Sequence, residues 1–165
     1  LLSQPGDTAA ERLRAEVAQR GVDAERLLFA ARVAGRDDHL ARLQLADLAL
    51  DPFPYNSHST GLEILWAGVP MVALRGETFA GRVGASLLQA AGLGELIADS
   101  AADYQRLAVE LARDRQRLRA LRDKLVQNRK RCPLFDMPAF TRALESLYRR
   151  MWENHLRGER QPLLA

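Results

Sequence analysis

The chain has 165 residues, 47% of them hydrophobic and 27% charged, and carries a formal net charge of +3. That composition excludes a disordered or fibrous protein and leaves one ordinary domain or one lobe of a two-lobed enzyme. Cys132 is the single cysteine, which excludes an internal disulfide framework and a cysteine-based zinc site, and the longest nearly uncharged apolar stretch, 64–74, is too short to span a bilayer.

The chain opens on Leu1 with no basic-then-apolar export signal and reads as part of a longer protein. Residues 1–3 suit the tail of a strand. Thr8, with Glu11 three residues on, has the spacing of a capping box, and Ala10, Leu13 and Val17 repeat at helical spacing until Gly21. The apolar run 26–30 reads as a buried strand. A helix is expected from Asp37 and a strand over 48–50, which ends at the break Asp51-Pro52. The loop 53–58 leads through Ser59-Thr60-Gly61 into a short helix, 62–67, closed by Gly68. Residues 69–74 form the next buried strand, 80–90 a helix ending at Gly92, and 95–98 a short strand. Leu107, Leu111, Leu118, Leu121 and Leu125 mark two successive helices, broken by Cys132-Pro133. Phe140, Leu144, Leu147, Tyr148, Met151 and Trp152 line one face of a long terminal helix.

All but two of the 24 basic residues are arginine, the exceptions being Lys124 and Lys130. Acids and bases interleave except over 113–131, where nine basic residues meet only Asp114 and Asp123. This run reads as a solvated helix face, with a phosphate, acidic-protein or nucleic-acid contact as the alternative.

Strands alternating with helices over short connections indicate an α/β fold, a Rossmann-like doubly wound parallel sheet. Ligands of such sheets bind outside the carboxyl ends of the strands, which directs attention to the loops 31–38, 51–60 and 75–80. In the second, two hydroxyl residues and a glycine, Ser59-Thr60-Gly61, stand where a helix begins. The unpaired first amides and positive dipole end of a helix bind phosphate, with an ordinary helix cap as the alternative. His58 can donate to a phosphate or sugar oxygen, and Glu63, within the first turn or so, can accept from sugar hydroxyls. Arg36, His39 and Arg42 share one helix face, which suits a nucleotide or a solvated surface. Gly76-Glu77-Thr78 followed by Arg82 forms a third loop-to-helix corner, with Thr78 a candidate cap. No dinucleotide fingerprint or P-loop appears, which argues against those sites, and without an Asp-x-Asp pair a bound diphosphate is to be neutralised by helix dipole and basic side chains rather than by a metal.

The segments 44–47, 56–61, 65–72, 76–83 with Ser86, and 133–135 with 147–153, resemble the O-GlcNAc transferase family, in order, over nearly the whole chain. The resemblance implies the C-terminal lobe of a two-lobed GT-B catalytic region that follows tetratricopeptide repeats. It divides the chain into a nucleotide-sugar-binding lobe, 1–130, and a C-terminal helix packing back on the catalytic region, 131–158; Gly158 and Pro162 mark a loose tail, 159–165. It implies an inverting, metal-independent transfer of N-acetylglucosamine from UDP-GlcNAc to protein Ser/Thr hydroxyls, with no cofactor; the single cysteine and the missing export signal indicate a cytoplasmic location. The implied partners are the UDP-sugar donor, a protein or peptide acceptor, and the N-terminal lobe and repeats of the same protein; the short apolar stretch argues for no membrane, and the small basic excess does not argue for nucleic acid. Carried over by position, the backbone of Ala34 and the side chains of His39 and Arg42 hold the uracil. Arg36 stands where the family has a lysine near the ribose. Ser59 and Thr60 hold the pyrophosphate, His58 reaches the phosphate and sugar, and Glu63, often Asp in the family, binds ribose hydroxyls. No residue of this chain is assigned a certain catalytic role. The alternatives are another nucleotide sugar such as GDP-fucose, or a non-catalytic interaction domain of the same fold.

Overall fold

The computed structural model describes residues 2–3 and 6–159. Two compact units divide at Asp47 and Leu48. In the first, β1 (Leu2–Ser3) is followed by α1 (Asp7–Gln19), a 3-10 turn (Ala24–Arg26), β2 (Phe29–Ala30) and α2 (Arg36–Leu43). The strands pair in parallel, Leu2 opposite Phe29. Two expectations are corrected here. Thr8 is no cap, because the helix opens earlier: Gly6 is the N-cap residue, and its carbonyl accepts from the amides of Ala9 and Ala10 at 2.9 and 3.1 Å. The run 26–30 is not a continuous buried strand. Asp23 caps a 3-10 turn through the Glu25 amide at 3.0 Å, only Phe29–Ala30 joins the sheet, and Leu28 is 74% exposed. A two-stranded sheet with two-residue strands offers no second face to bury such a run. Gly21 ends α1 as expected, with a φ of 74° that only glycine adopts readily.

In the second unit, β3 (Ala49–Leu50), α3 (Ser59–Trp66), β4 (Met71–Leu74), α4 (Phe79–Ala90), a 3-10 turn (Gly94–Leu96) and β5 (Ile97–Ala98) alternate. The three helices α5 (Ala101–Arg113), α6 (Arg115–Asn128) and α7 (Met137–Leu156) complete it. The strands run in parallel in the order β3-β4-β5, with Ala49 opposite Met71 and Ala73 opposite Ile97. The central strand is buried on both faces, and Met71, Val72 and Ala73 have no exposed surface. Leu65 of α3, Leu88 of α4, Leu107 and Leu111 of α5, and Leu118, Leu121 and Leu125 of α6 close around it.

Side-chain caps set the boundaries of the later helices. The amide of Asp103 donates to Ser100 at the start of α5, and that of Arg117 to Asp114 at the start of α6. Asp114 is thereby both the end of α5 and the cap of α6, which breaks what would otherwise be one long helix. The basic run lies as a solvated face: Leu118, Leu121 and Leu125 point inward, while Arg115, Arg117 and Arg119 are exposed. Surface pairs such as Lys124 with Glu95, at 2.5 Å, contribute little to stability. On α7 the apolar stripe is largely exposed, with Phe140, Tyr148 and Trp152 among its members. Of the proposed tail 159–165, residues 160–165 lie outside the described residues. Among the described residues no helix is long and apolar enough to cross a membrane.

Leu111 has no exposed surface and belongs to the core around β4. Leu111→Ala is expected to lower stability by about 2–5 kcal/mol, through lost burial and a residual cavity. Urea denaturation of wild type and variant measures the difference.

Candidate functional site

Three loop-to-helix corners follow the strands. The first joins β2 to α2. Gly35 is its N-cap residue without a side-chain cap, and Asp37 and Asp38 already place two carboxylates in the first turn. They use the favourable electrostatics of that terminus, so it is poorly suited to a phosphate. Ala34 and Arg36 are exposed. His39 and Arg42 come together as their spacing predicts: an Arg42 terminal nitrogen donates to His39 Nδ1 at 2.9 Å, and the other donates to the Ala31 carbonyl. Arginine only donates, so Nδ1 accepts and Nε2 carries the ring proton. The guanidinium thus ties the end of α2 back to the residue after β2 and orients the imidazole.

The second corner joins β3 to α3. The helix begins three residues earlier than the sequence suggests, so Ser59 and Thr60 are its first residues rather than its caps. His58 occupies the N-cap position and makes no side-chain cap bond. The first intrahelical bond is donated by Leu62 to the His58 carbonyl at 3.1 Å, which leaves the amides of Ser59, Thr60 and Gly61 ahead of it. Both hydroxyl residues are exposed. Glu63 stands one turn on from Ser59 and is half-buried. The corner therefore presents amide donors, two hydroxyls and the positive end of a helix dipole in one place, an arrangement suited to an anion.

His58 is held from two sides. Its ring stacks on Tyr55, with centroids 5.1 Å apart and planes 14° from parallel, and Phe79 meets it edge-on at 6.2 Å. Its Nε2 is buried with no hydrogen-bond partner. Neither aromatic was singled out from the sequence, because Tyr55 and Phe79 are 24 positions apart and only the fold places both against one ring.

The third corner joins β4 to α4. Thr78 caps the helix, accepting from the Gly81 amide at 3.1 Å, so its expected role as a cap is met. Arg82 lies one turn in and is exposed.

Beneath the second corner lies a buried polar group that the sequence reading treated only as a break. Asp51 is 1% exposed, and its Oδ1 accepts from the Ser57 amide at 2.8 Å and from the Ser57 hydroxyl. Tyr104 of α5 donates its phenol to the Asp51 carbonyl at 2.9 Å. Burial raises the Asp51 carboxyl above its usual value, against the hydrogen bonds from Ser57 and the charge of His58, which lower it. Burial, and then the Asp51 charge, push the Tyr104 phenol up to about 12. An aspartate at the carboxyl end of a strand, leading into the loop before a helix, is the signal that could have drawn attention to it.

A parallel α/β unit with helices packed on its sheet is the architecture of a lobe of a GT-B glycosyltransferase. The chain belongs to glycosyl transferase family 41, whose model matches residues 1–144. It is 41% identical over 149 residues to a probable UDP-N-acetylglucosamine–peptide N-acetylglucosaminyltransferase of Arabidopsis thaliana, covering 90% of this chain and 15% of that protein. It is 38% identical over 148 residues to the enzyme of that name from Caenorhabditis elegans, covering 90% of this chain and 13% of the relative. The solved structure of an O-GlcNAc transferase variant from Thermobaculum terrenum superimposes with a TM-score of 0.83 at 40% identity, over 90% of this chain and 28% of that one. The chain thus spans a small part of the length of the proteins it matches, and the resemblance seen in its motifs is confirmed.

The shifted groups give a pH dependence of stability. An acid whose folded pKa is raised keeps its proton longer in the folded state, so its contribution falls as pH rises from the unfolded value to the folded one. For Tyr104 that window runs from 10 to about 12. For Asp51 it begins at 3.8 and extends upward. The stability difference between wild type and Tyr104→Phe is expected to fall as pH rises through the first window. The difference between wild type and Asp51→Asn should fall from 3.8 upward and then level off. Chemical denaturation across pH checks both, and a difference that rises with pH contradicts the assignment.

Proposed function

We propose that this chain is the donor-binding lobe of a protein O-GlcNAc transferase, an enzyme that moves N-acetylglucosamine from UDP-GlcNAc to Ser and Thr hydroxyls of proteins. The observation that carries the reading is the α3 terminus, with its leading amides and the Ser59 and Thr60 hydroxyls at the carboxyl end of β3. It occurs in a chain about 40% identical to proteins named for that transfer.

In this reading the backbone at Ala34 and the side chains of His39 and Arg42 hold the uracil, with Arg36 near the ribose. Ser59, Thr60 and the α3 amides hold the pyrophosphate. His58 donates at the phosphate and sugar, and Glu63 accepts from ribose hydroxyls. The transfer is a single in-line displacement with inversion. The acceptor oxygen attacks the anomeric carbon, the bond to the UDP oxygen breaks, and the charge left on UDP is met by the helix terminus and its hydroxyls. No metal takes part. The enzyme works in the cytoplasm, and the acceptor is bound by parts of the parent protein outside this chain. The N-terminal lobe of the parent packs on the exposed apolar face of α7, which would remove Phe140, Tyr148 and Trp152 from water.

In the full-length enzyme, the double variant Ser59→Ala, Thr60→Ala is expected to lower kcat roughly a hundredfold or more, as removal of preorganised donors does elsewhere. Unchanged turnover rules out this corner as the phosphate site. Calorimetric titration with UDP, with and without EDTA and against GDP, tests the rest. Binding of UDP that survives EDTA and exceeds that of GDP is the expected outcome. Preference for GDP moves the donor to a GDP-sugar such as GDP-fucose, and no binding of either favours a non-catalytic interaction domain.

A further inference from the structure

We propose that Asp51 is a positioning residue for the phosphate end of the donor site, which fixes the first turn of α3 by holding Ser57. The inference rests on the donor-site reading above and concerns how that site is kept in place.

Asp51 is tied into the core on both sides. Its amide donates to the Val72 carbonyl of β4 at 2.9 Å, and its carbonyl receives the Tyr104 hydroxyl at 2.9 Å. From this fixed point its carboxylate reaches forward to both donors of Ser57. Ser57 immediately precedes the N-cap residue, and its hydroxyl lies under the helix itself: a Cβ on Gly61 would come within 2.9 Å of it. The other carboxylate oxygen has no hydrogen-bond partner and is pressed against α4, where a Cβ on Gly84 would fall 2.1 Å away. The carboxylate is therefore held between Ser57, beneath the first turn of α3, and the middle of α4.

A second brace converges on the same point. Asn56, 1% exposed, donates from its side chain to the Pro52 carbonyl at 2.9 Å and accepts from the Gly84 amide at 3.2 Å. Its own amide donates to the Ala80 carbonyl at 3.1 Å. The loop thus arrives at His58 already fixed to α4 through Asn56 and, through Asp51, to β4 and α5. Leaving a carboxylate oxygen buried and unpaired opposes folding, so the arrangement is not explained by stability alone. Its return is geometric. Donors aimed at a diphosphate act only if they are held close to their working positions, and a displacement of about 1 Å can cost on the order of a hundredfold in rate.

The test compares UDP with uridine, which lacks the phosphates, as ligands of the full-length enzyme. The variants are Asp51→Ala, Asp51→Asn, Ser57→Ala and, as the control for the site itself, Ser59→Ala with Thr60→Ala. Asp51→Ala is expected to weaken UDP about tenfold, the scale of a hydrogen bond to a charged group, and to leave uridine binding unchanged. Ser57→Ala, which keeps its backbone bond, should weaken UDP about threefold. Asp51→Asn, which keeps an acceptor oxygen, should recover part of the Asp51→Ala loss. Circular dichroism and thermal melting establish that each variant is folded. UDP affinity unchanged in folded Asp51→Ala overturns the proposal, as does an equal loss for UDP and uridine, which would mark a general structural defect. Should Asp51→Ala fail to fold, Ser57→Ala decides: wild-type UDP affinity in that variant overturns the proposal. If the Ser59 and Thr60 control itself leaves UDP affinity intact, the donor-site reading fails instead.

Discussion

The amides that open a helix have no partner within it, and a protein must either cap them or leave them for something else. In the second unit, α4, α5, α6 and α7 are each capped by a side chain, from Thr78, Ser100, Asp114 and Asp136 respectively. At α3 the N-cap residue is His58, whose ring is turned between Tyr55 and Phe79 instead of onto the backbone. The terminus is therefore without a side-chain cap. Ser57, the residue before His58, donates both its hydroxyl and its amide to Asp51.

The rest of the unit serves the same point by packing. β4 is the middle strand of three and is covered on both faces, so its position is fixed by the leucines of α3 to α6. β3 hangs on it through the bond from the Asp51 amide to the Val72 carbonyl, and α4 returns along it so closely that Gly84 lies against Ala73. A Cβ at Gly84 would be 3.0 Å from that of Ala73 as well as overlapping the Asp51 carboxylate. Glycine is required there for space rather than for backbone conformation. The loop 51–58 has no regular structure, yet it is anchored at Asp51 and Asn56, each 1% exposed.

Much of this was legible in the sequence. Alternating apolar runs and amphipathic stretches located the strands β3 to β5 and the helices α2 to α7, because burial on both faces of a parallel strand and on one face of a helix leaves different periods. Glycine stops were read correctly at Gly21, Gly68 and Gly92, all of which have positive φ. The hydroxyl-glycine cluster at the start of α3 was visible for the same local reason. The errors were also local in origin. Thr8 had the right spacing for a cap, yet the Gly6 carbonyl took the first amides and the helix started sooner. The run 26–30 was apolar enough for a strand, yet Asp23 turned its first part into a 3-10 turn. On α3 the expected start fell three residues late, because Ser59 and Thr60 look like caps and are instead the first helical residues.

The sequence by itself determined the fold class through its periodicity and glycine placement and the family through its colinear motifs, and it marked the hydroxyl-glycine corner at the start of α3, because these are all local signals. The tertiary structure decided how that corner is supported. Asp51 and Tyr104 are 53 positions apart, and Asn56 and Gly84 are 28 apart. Such pairs leave no periodic trace, since their meeting depends on where β4, α4 and α5 pack. An aspartate beside a proline reads as a chain break until the helices close over it, and only then does burial make its carboxylate the group that holds the loop.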